Sequence, residues 1–311
     1  MSIRPVMRTI ESQPTLEGAG VRLRRAFGFS NPRDYDPFLL FDDFRNENPE
    51  DYLAGFPWHP HRGIETITYV LAGSVNHGDS LGNKGTLGSG DVQWMTAGSG
   101  ILHQEMPQGD QRGRMHGFQL WANLPRALKM SAPRYQDVAS KDIPEIADDD
   151  GTMVRVICGE FWGKRGPVDG IAAEPRYLDV SVPPGKTKRL KVDTRSNAFA
   201  YVFEGAGSFR DASAPRPVAT EEVGPTQSVP TAPTVPTVPT EPDASNRSLV
   251  LFGSGDEVVV HAGEQGIRFL LVSGRPIEEP IAWYGPIVMN SPAELEQAYR
   301  ELRDGTFIKH G

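Results

Sequence analysis

One cysteine in 311 residues, Cys158, leaves no partner for a disulfide within the chain, which fits a reducing compartment. No apolar run approaches the roughly 20 residues of a membrane-spanning helix. The opening Met1–Thr9 stretch holds no apolar signal core either. A soluble cytoplasmic protein is expected, nuclear as well if the host is eukaryotic. Positive charge is also short: 32 Lys and Arg against 40 Asp and Glu leave a net charge of -8. That excludes broad backbone-driven nucleic-acid binding and attachment to an anionic membrane. Gly85-Thr86-Leu87-Gly88-Ser89-Gly90 lacks the Lys-Ser/Thr of a phosphate loop and reads as a turn. There is no Gly-x-Ser-x-Gly elbow, and Cys158, with no histidine nearby, reads as a buried structural thiol.

Glycine (33) and proline (27) are plentiful, and they cut the chain into short runs rich in Val, Ile, Leu, Phe and Tyr. This texture predicts an all-β protein. Strands are expected at Val21–Phe27, Pro37–Phe44, Met115–Leu124, Met153–Gly159, Tyr177–Val182 and through Leu270-Leu271-Val272, with Pro125–Pro144 as a crossing segment. Asp42 and Asp43 read as a solvated turn pair. Ser291-Pro292-Ala293-Glu294 is a capping box, and Leu295, Ala298, Tyr299 and Leu302 continue it at helical spacing to a stop at Gly305.

An internal repeat divides the chain. Tyr69-Val70-Leu71-Ala72-Gly73 resembles Tyr201-Val202-Phe203-Glu204-Gly205, and Gly88-Ser89-Gly90-Asp91 resembles Gly253-Ser254-Gly255-Asp256. The wider spacing of the second pair is taken up by a Pro/Thr-rich stretch at about 211–247, expected to be a disordered, polyproline-like insertion.

The richest stretch runs from Phe56 to Pro107. Residues two apart on a strand share a face, so His59 and His61 can aim at one point, as can His103 and Glu105. Such donors suit a divalent transition metal. The alternative is a set of histidines satisfied by carbonyls. For the fourth ligand, strand geometry favours Glu105 over Glu65. Three nitrogens and one oxygen suit iron(II) and oxygen chemistry, while copper, nickel, zinc or manganese can use the same donors. Matching by the repeat puts Lys191, Asp193, Arg268 and Leu270 at the corresponding places, so the second copy is expected to lack a metal. His77 reads as a turn residue, His116 and His261 as structural, and His310 as part of a frayed end. Phe56, Trp58, Trp94, Met95, Met106 and Phe118 form either an aromatic pocket or ordinary core.

His59-Pro60-His61-Arg62-Gly63-Ile64-Glu65-Thr66, Gly90-Asp91-Val92-Gln93-Trp94-Met95-Thr96-Ala97-Gly98 and His103-Gln104-Glu105-Met106-Pro107 resemble the pirin family of the cupin superfamily. The likeness extends from Asp36-Pro37-Phe38-Leu39-Leu40-Phe41-Asp42 to Gly285-Pro286-Ile287-Val288-Met289-Asn290. It implies a bicupin of two stacked β-barrels with a C-terminal helix. The expected division is 1–135 for the metal-binding domain, 136–289 for a second cupin domain without ligands, and 290–311 for the helix and tail. The resemblance makes His59, His61, His103 and Glu105 the ligands, with Glu65 behind them. It further implies a quercetin 2,3-dioxygenase-like enzyme acting on a flavonol, with Glu105 or a metal-bound base as proton acceptor; a monomer is expected. The rival it carries is an iron-dependent redox sensor that regulates a protein partner.

Overall fold

The computed structural model describes residues 2–30, 32–209 and 243–310. Twelve strands come first: β1 Val6–Glu11, β2 Gln13–Glu17, β3 Val21–Phe27, β4 Phe38–Asp43, β5 Phe56–His61, β6 Ile64–Ala72, β7 Ser74–Asp79, β8 Lys84–Leu87, β9 Val92–Thr96, β10 Ile101–Gln108, β11 His116–Asn123 and β12 Arg134–Val138. Then follow β13 Glu145–Ala147, β14 Met153–Cys158, β15 Glu160–Phe161, β16 Lys164–Arg165, β17 Arg176–Val182, β18 Thr187–Lys191, β19 Asn197–Ser208, β20 Ala244–Ser245, β21 Ser248–Phe252, β22 Glu257–Gly274, β23 Ala282–Tyr284, β24 Ile287–Met289 and the helix α1 Pro292–Arg303. The fold is an all-β bicupin, built from open sheets rather than closed barrels.

The first domain pairs a seven-stranded sheet, ordered β12-β9-β6-β11-β4-β3-β2, with a four-stranded sheet, β5-β10-β7-β8. The second rests on a nine-stranded sheet in the order β1-β21-β19-β22-β17-β14-β13, with β18 and β20 attached at its side. β1 joins the second sheet beside β21, just as β12, from the segment expected only to cross, lies beside β9 in the first. The Pro/Thr-rich stretch lies outside the described residues as far as 242. Its expected end is too late, because Ala244 and Ser245 already pair with β19.

Both domains pair their strands alike. β6 lies between β9 and β11 as β19 lies between β21 and the second half of β22, and β4 neighbours β11 as β17 neighbours that half of β22. Tyr69, Phe118 and Asp43 therefore form a cross-strand row equivalent to Tyr201, Leu270 and Asp179. The tyrosine match in the repeat holds, but the glycine match slips by one turn. Gly253-Ser254-Gly255 joins β21 to β22 where Gly98-Ser99-Gly100 joins β9 to β10, because such turns recur at several strand ends and short glycine motifs do not distinguish them.

The two large sheets pack face to face through a shared core. Phe41, Tyr69 and Phe118 come from the first domain, and Tyr177, Phe199 and Tyr201 from the second. At its centre the Tyr69 hydroxyl donates to Asp179 at 2.8 Å and the Tyr201 hydroxyl donates to Asp43 at 2.8 Å, one bond in each direction. Asp43 is thus a buried interdomain acceptor on β4, also held by Arg45, and not part of a solvated turn. The tail closes the first domain. Ser291 caps α1 by accepting from the Glu294 amide, and Leu295, Ala298, Tyr299 and Leu302 pack on Ile287, Met289 and Phe307.

We predict that Tyr69→Phe and Tyr201→Phe each cost about 1–3 kcal/mol, the range for losing a hydrogen bond to a buried charged acceptor that keeps its arginine. Urea unfolding checks this. A loss below about 0.3 kcal/mol in both variants would remove the two bonds from any role in stability.

Candidate metal centre

β5 is an edge strand, so Pro57 and Pro60, which have no amide to donate, sit where no ladder bond is lost. On this strand His59 and His61 point to one face, and His103 on β10 stands directly opposite His59. The three rings lie 4.4–4.9 Å apart, centre to centre, with their nitrogens within 4.8 Å of one another. His59 Nδ1 meets the Pro57 carbonyl at 2.9 Å and His61 Nδ1 meets the Pro286 carbonyl at 3.3 Å. Each contact places the proton on Nδ1 and turns the Nε2 lone pair inward. The two Nε2 atoms then face each other at 3.1 Å.

His103 is buried with neither ring nitrogen bonded. Burial, reinforced by neighbouring histidines, pushes His61 and His103 well below the ordinary imidazole range. Neutral, desolvated imidazoles with converging lone pairs are the donor set that a divalent transition metal satisfies. The alternative of histidines satisfied by carbonyls fails at His103.

Glu105 comes into the same cavity but stands beside the histidine cluster. A bulge follows His103, so that Glu105 pairs with Phe56. Its carboxylate accepts from Thr68 Oγ1 at 3.0 Å and from Gln119 Nε2 at 3.2 Å. The cavity, of about 400 Å³, is walled mainly by apolar side chains, among them Leu23, Leu40, Phe44, Phe56, Met115 and Trp121. Of the expected aromatic set only Phe56 lines it. Trp94 and Phe118 belong to the core between the domains, Met95 to an inner core, and Trp58 is exposed, because strand alternation carries these side chains elsewhere.

The tail supports the cluster from behind. Arg62 is buried and donates to the carbonyls of Ser99 and Phe307 and to Glu301. Lys129 donates to the carbonyls of Gly63 and Val288 and to Asn123. Gly63 sits at φ +76°, and a Cβ there would lie 1.9 Å from the Val288 oxygen, so only glycine lets the tail come this close. The Pro286 carbonyl is thereby delivered to His61.

Two sequence expectations need correction here. Glu65 does not stand behind the ligands. β5 ends at His61 and a new strand begins at Ile64, so that on β6 Glu65 shares its face with Ile67 and Tyr69, towards the second domain, while Thr68 faces the cavity. There Glu65 accepts from Thr96 at 2.8 Å, and burial raises it to about 7. His77 is not in a turn. It is buried on β7 opposite Glu105, with Gln93 bonded to its ring. Cys158 is buried, its thiol pushed up to about 12 by burial, in keeping with an inert structural role. Sequence reasoning missed Thr68, Gln119, Arg25 and Trp121. The available signal was Gln119, a lone amide between Phe118 and Leu120.

In the second domain β18 takes the place of β5 against the first half of β22, with Leu190 opposite Val258 as His59 is opposite His103. Leu190, Val192, Val258 and Val260, all buried in one apolar core, therefore hold the places of His59, His61, His103 and Glu105. The positions expected from the sequence, Lys191, Asp193, Arg268 and Leu270, shift with the corrected register, and the absence of donors stands.

The pirin family model matches residues 20–122, and the model of the pirin C-terminal cupin domain matches residues 177–308. A pirin-like protein of Caulobacter vibrioides is 44% identical over 99% of this chain and 100% of its own. A crystal structure of quercetin 2,3-dioxygenase from Acinetobacter baumannii superposes with a TM-score of 0.83 at 30% identity, covering 98% of this chain and 99% of that one. The bacterial pirin YhhW of Escherichia coli, solved in complex with nickel(II), shares the fold at 18% identity and a TM-score of 0.62, over 86% of this chain and 99% of its own.

Two measurements test this geometry. We predict that His103→Ala weakens divalent-metal binding at least tenfold in a calorimetric titration; unchanged affinity would remove the cluster from metal binding. Glu65, raised from its unfolded value near 4.5 to about 7, binds its proton more tightly in the folded chain. Its contribution to stability is therefore full below about pH 4.5 and is lost as pH rises through 7, by about 3 kcal/mol in all. Glu65→Gln is expected to raise the melting temperature relative to wild type more at pH 8 than at pH 5. A pH-independent difference would show that Glu65 ionises as it does in water.

Proposed function

The chain belongs to the pirin family, and from that premise we propose that it is a metal-dependent dioxygenase. In this reading it opens a flavonol such as quercetin at the 2,3 bond and also breaks the C3–C4 bond; the two atoms of dioxygen bond to C2 and C4, giving an ester and a carboxylic acid, and C3 leaves with its own oxygen as carbon monoxide. His59, His61 and His103, with Glu105 beside them, would hold the ion. The observation that carries the reading is the convergence of three imidazoles, those of His61 and His103 buried, at the end of an apolar cavity large enough for one flavonol that His59 and His61 line. The likeness to the Acinetobacter baumannii enzyme supports the same substrate class.

Iron(II) fits three nitrogens and one oxygen, and when bound it supplies Lewis-acid polarisation and a redox partner for dioxygen. Nickel, as in the Escherichia coli neighbour, uses the same kind of donors and binds such sites more tightly than iron, so loading decides the resident ion. The chain's own work is positional. The apolar walls hold the rings and exclude water, which strengthens every polar contact made inside. Glu105 takes the proton of the 3-hydroxyl, and Thr68 and Gln119 fix the direction of its carboxylate.

Protein loaded with iron(II) is expected to consume quercetin and dioxygen in equal amounts, with activity reduced at least a hundredfold in His61→Ala. Oxygen uptake and carbon monoxide release are the readouts. Absence of both at full metal occupancy overturns the proposal.

A further inference from the structure

We propose that Arg25, Asp42 and Gln119 form the recognition floor of the cavity, with Asp42 accepting a hydrogen bond from a phenolic hydroxyl at the end of the substrate remote from the histidines. The proposal rests on the flavonol reading above and specifies which polyphenols the site takes. Across the seven-stranded sheet, Gln93, Thr68, Gln119, Asp42 and Arg25 stand opposite one another in register, one on each of β9, β6, β11, β4 and β3. A row of five polar side chains, of which Gln93, Thr68 and Asp42 are buried, is costly to build.

The second domain shows that the fold does not need it. The equivalent row there is Val250, Ala200, Leu271, Leu178 and Val156, every member buried in an apolar core. The polar row is present only in the domain with the histidine cluster.

Its two ends differ chemically. Thr68 and Gln119 are engaged by Glu105 beside the histidines. Asp42 lies two strands from Thr68, about 10 Å at the usual strand spacing, which is roughly the span between the chelating and pendant ends of a flavonol. Arg25 grips the Asp42 carboxylate at 2.8 and 2.7 Å, taking one lone pair of each oxygen and leaving the others for a donor from the cavity, which both residues line. Arg25 is fixed in turn by Glu17 at 2.8 Å. Burial raises Asp42 to about 6 despite the arginine, as expected of a carboxylate in a dry site with hydrogen-bonding capacity to spare.

Calorimetric binding to iron(II)-loaded protein at pH 8 under anaerobic conditions tests this, with quercetin and the flavonol that lacks hydroxyls on the pendant ring as ligands. Wild type is expected to bind quercetin about tenfold more tightly, the effect of one hydrogen bond to a charged group. Arg25→Gln/Asp42→Asn, a neutral pair that leaves no buried charge alone, is expected to lose the preference while keeping its metal content. Arg25→Lys, which keeps a cation beside Asp42, is expected to retain it. Equal affinity of wild type for both ligands, or a preference that survives in the double variant, overturns the assignment of Asp42. Failure of metal-loaded wild type to bind either ligand overturns the flavonol reading and this proposal with it.

Discussion

Two hydrogen bonds that cross the domain interface in opposite directions organise the molecule. Tyr69 reaches from the first domain to Asp179, and Tyr201 reaches back to Asp43. Each aspartate is also held by arginine, Asp43 by Arg45 and Asp179 by Arg268, so both are buried with their charge answered. Around these bonds the aromatic faces of the two large sheets meet. That contact gives the first domain a dense apolar layer on the outer face of its sheet. Its inner face is then free to be polar. The interior of the first domain is divided into two smaller apolar clusters, while the second domain keeps one continuous core.

The pair of domains is thus an internal comparison of one scaffold with and without a site. Where the first carries imidazoles and a carboxylate, the second carries Leu190, Val192, Val258 and Val260. Burying each such side chain stabilises by roughly 1.5–3 kcal/mol, whereas desolvated histidines cost energy until something binds them. Packing alone favours the second arrangement, so the first reflects a demand other than folding. The same reasoning covers the row from Gln93 to Arg25, which lies on the cavity side of the same sheet.

The histidines were legible in the sequence because the period of a β-strand is strict, and His-x-His needs no tertiary information to be read. The same rule misplaced Glu65, since parity counts only within one strand and another begins at Ile64. Asp42 and Asp43 were misread for a different reason. Every residue of β4 is buried, one face by the cavity and the other by the second domain, so the alternation that marks a strand with a wet face is absent. Gln119 meets Thr68 across 51 residues of chain, and that partnership exists only once strand register is set. The resemblance to pirins made the bicupin and the unequal domains legible, while the short glycine match misplaced Arg268 and Leu270, and one extra residue before Tyr201 shifted Lys191 and Asp193 by one from Leu190 and Val192.

The carbonyl that turns His61 towards its neighbours belongs to Pro286, 225 residues further along the chain. During synthesis the cluster at 59–61 therefore leaves the ribosome long before the tail that orients it exists. Arg62 and Lys129 remain without their tail acceptors, Phe307 and Val288, until those residues have been made. Maturation of the centre is in this way tied to synthesis of residues 286–307, and a product terminated before them carries the histidines without the brace that aligns them.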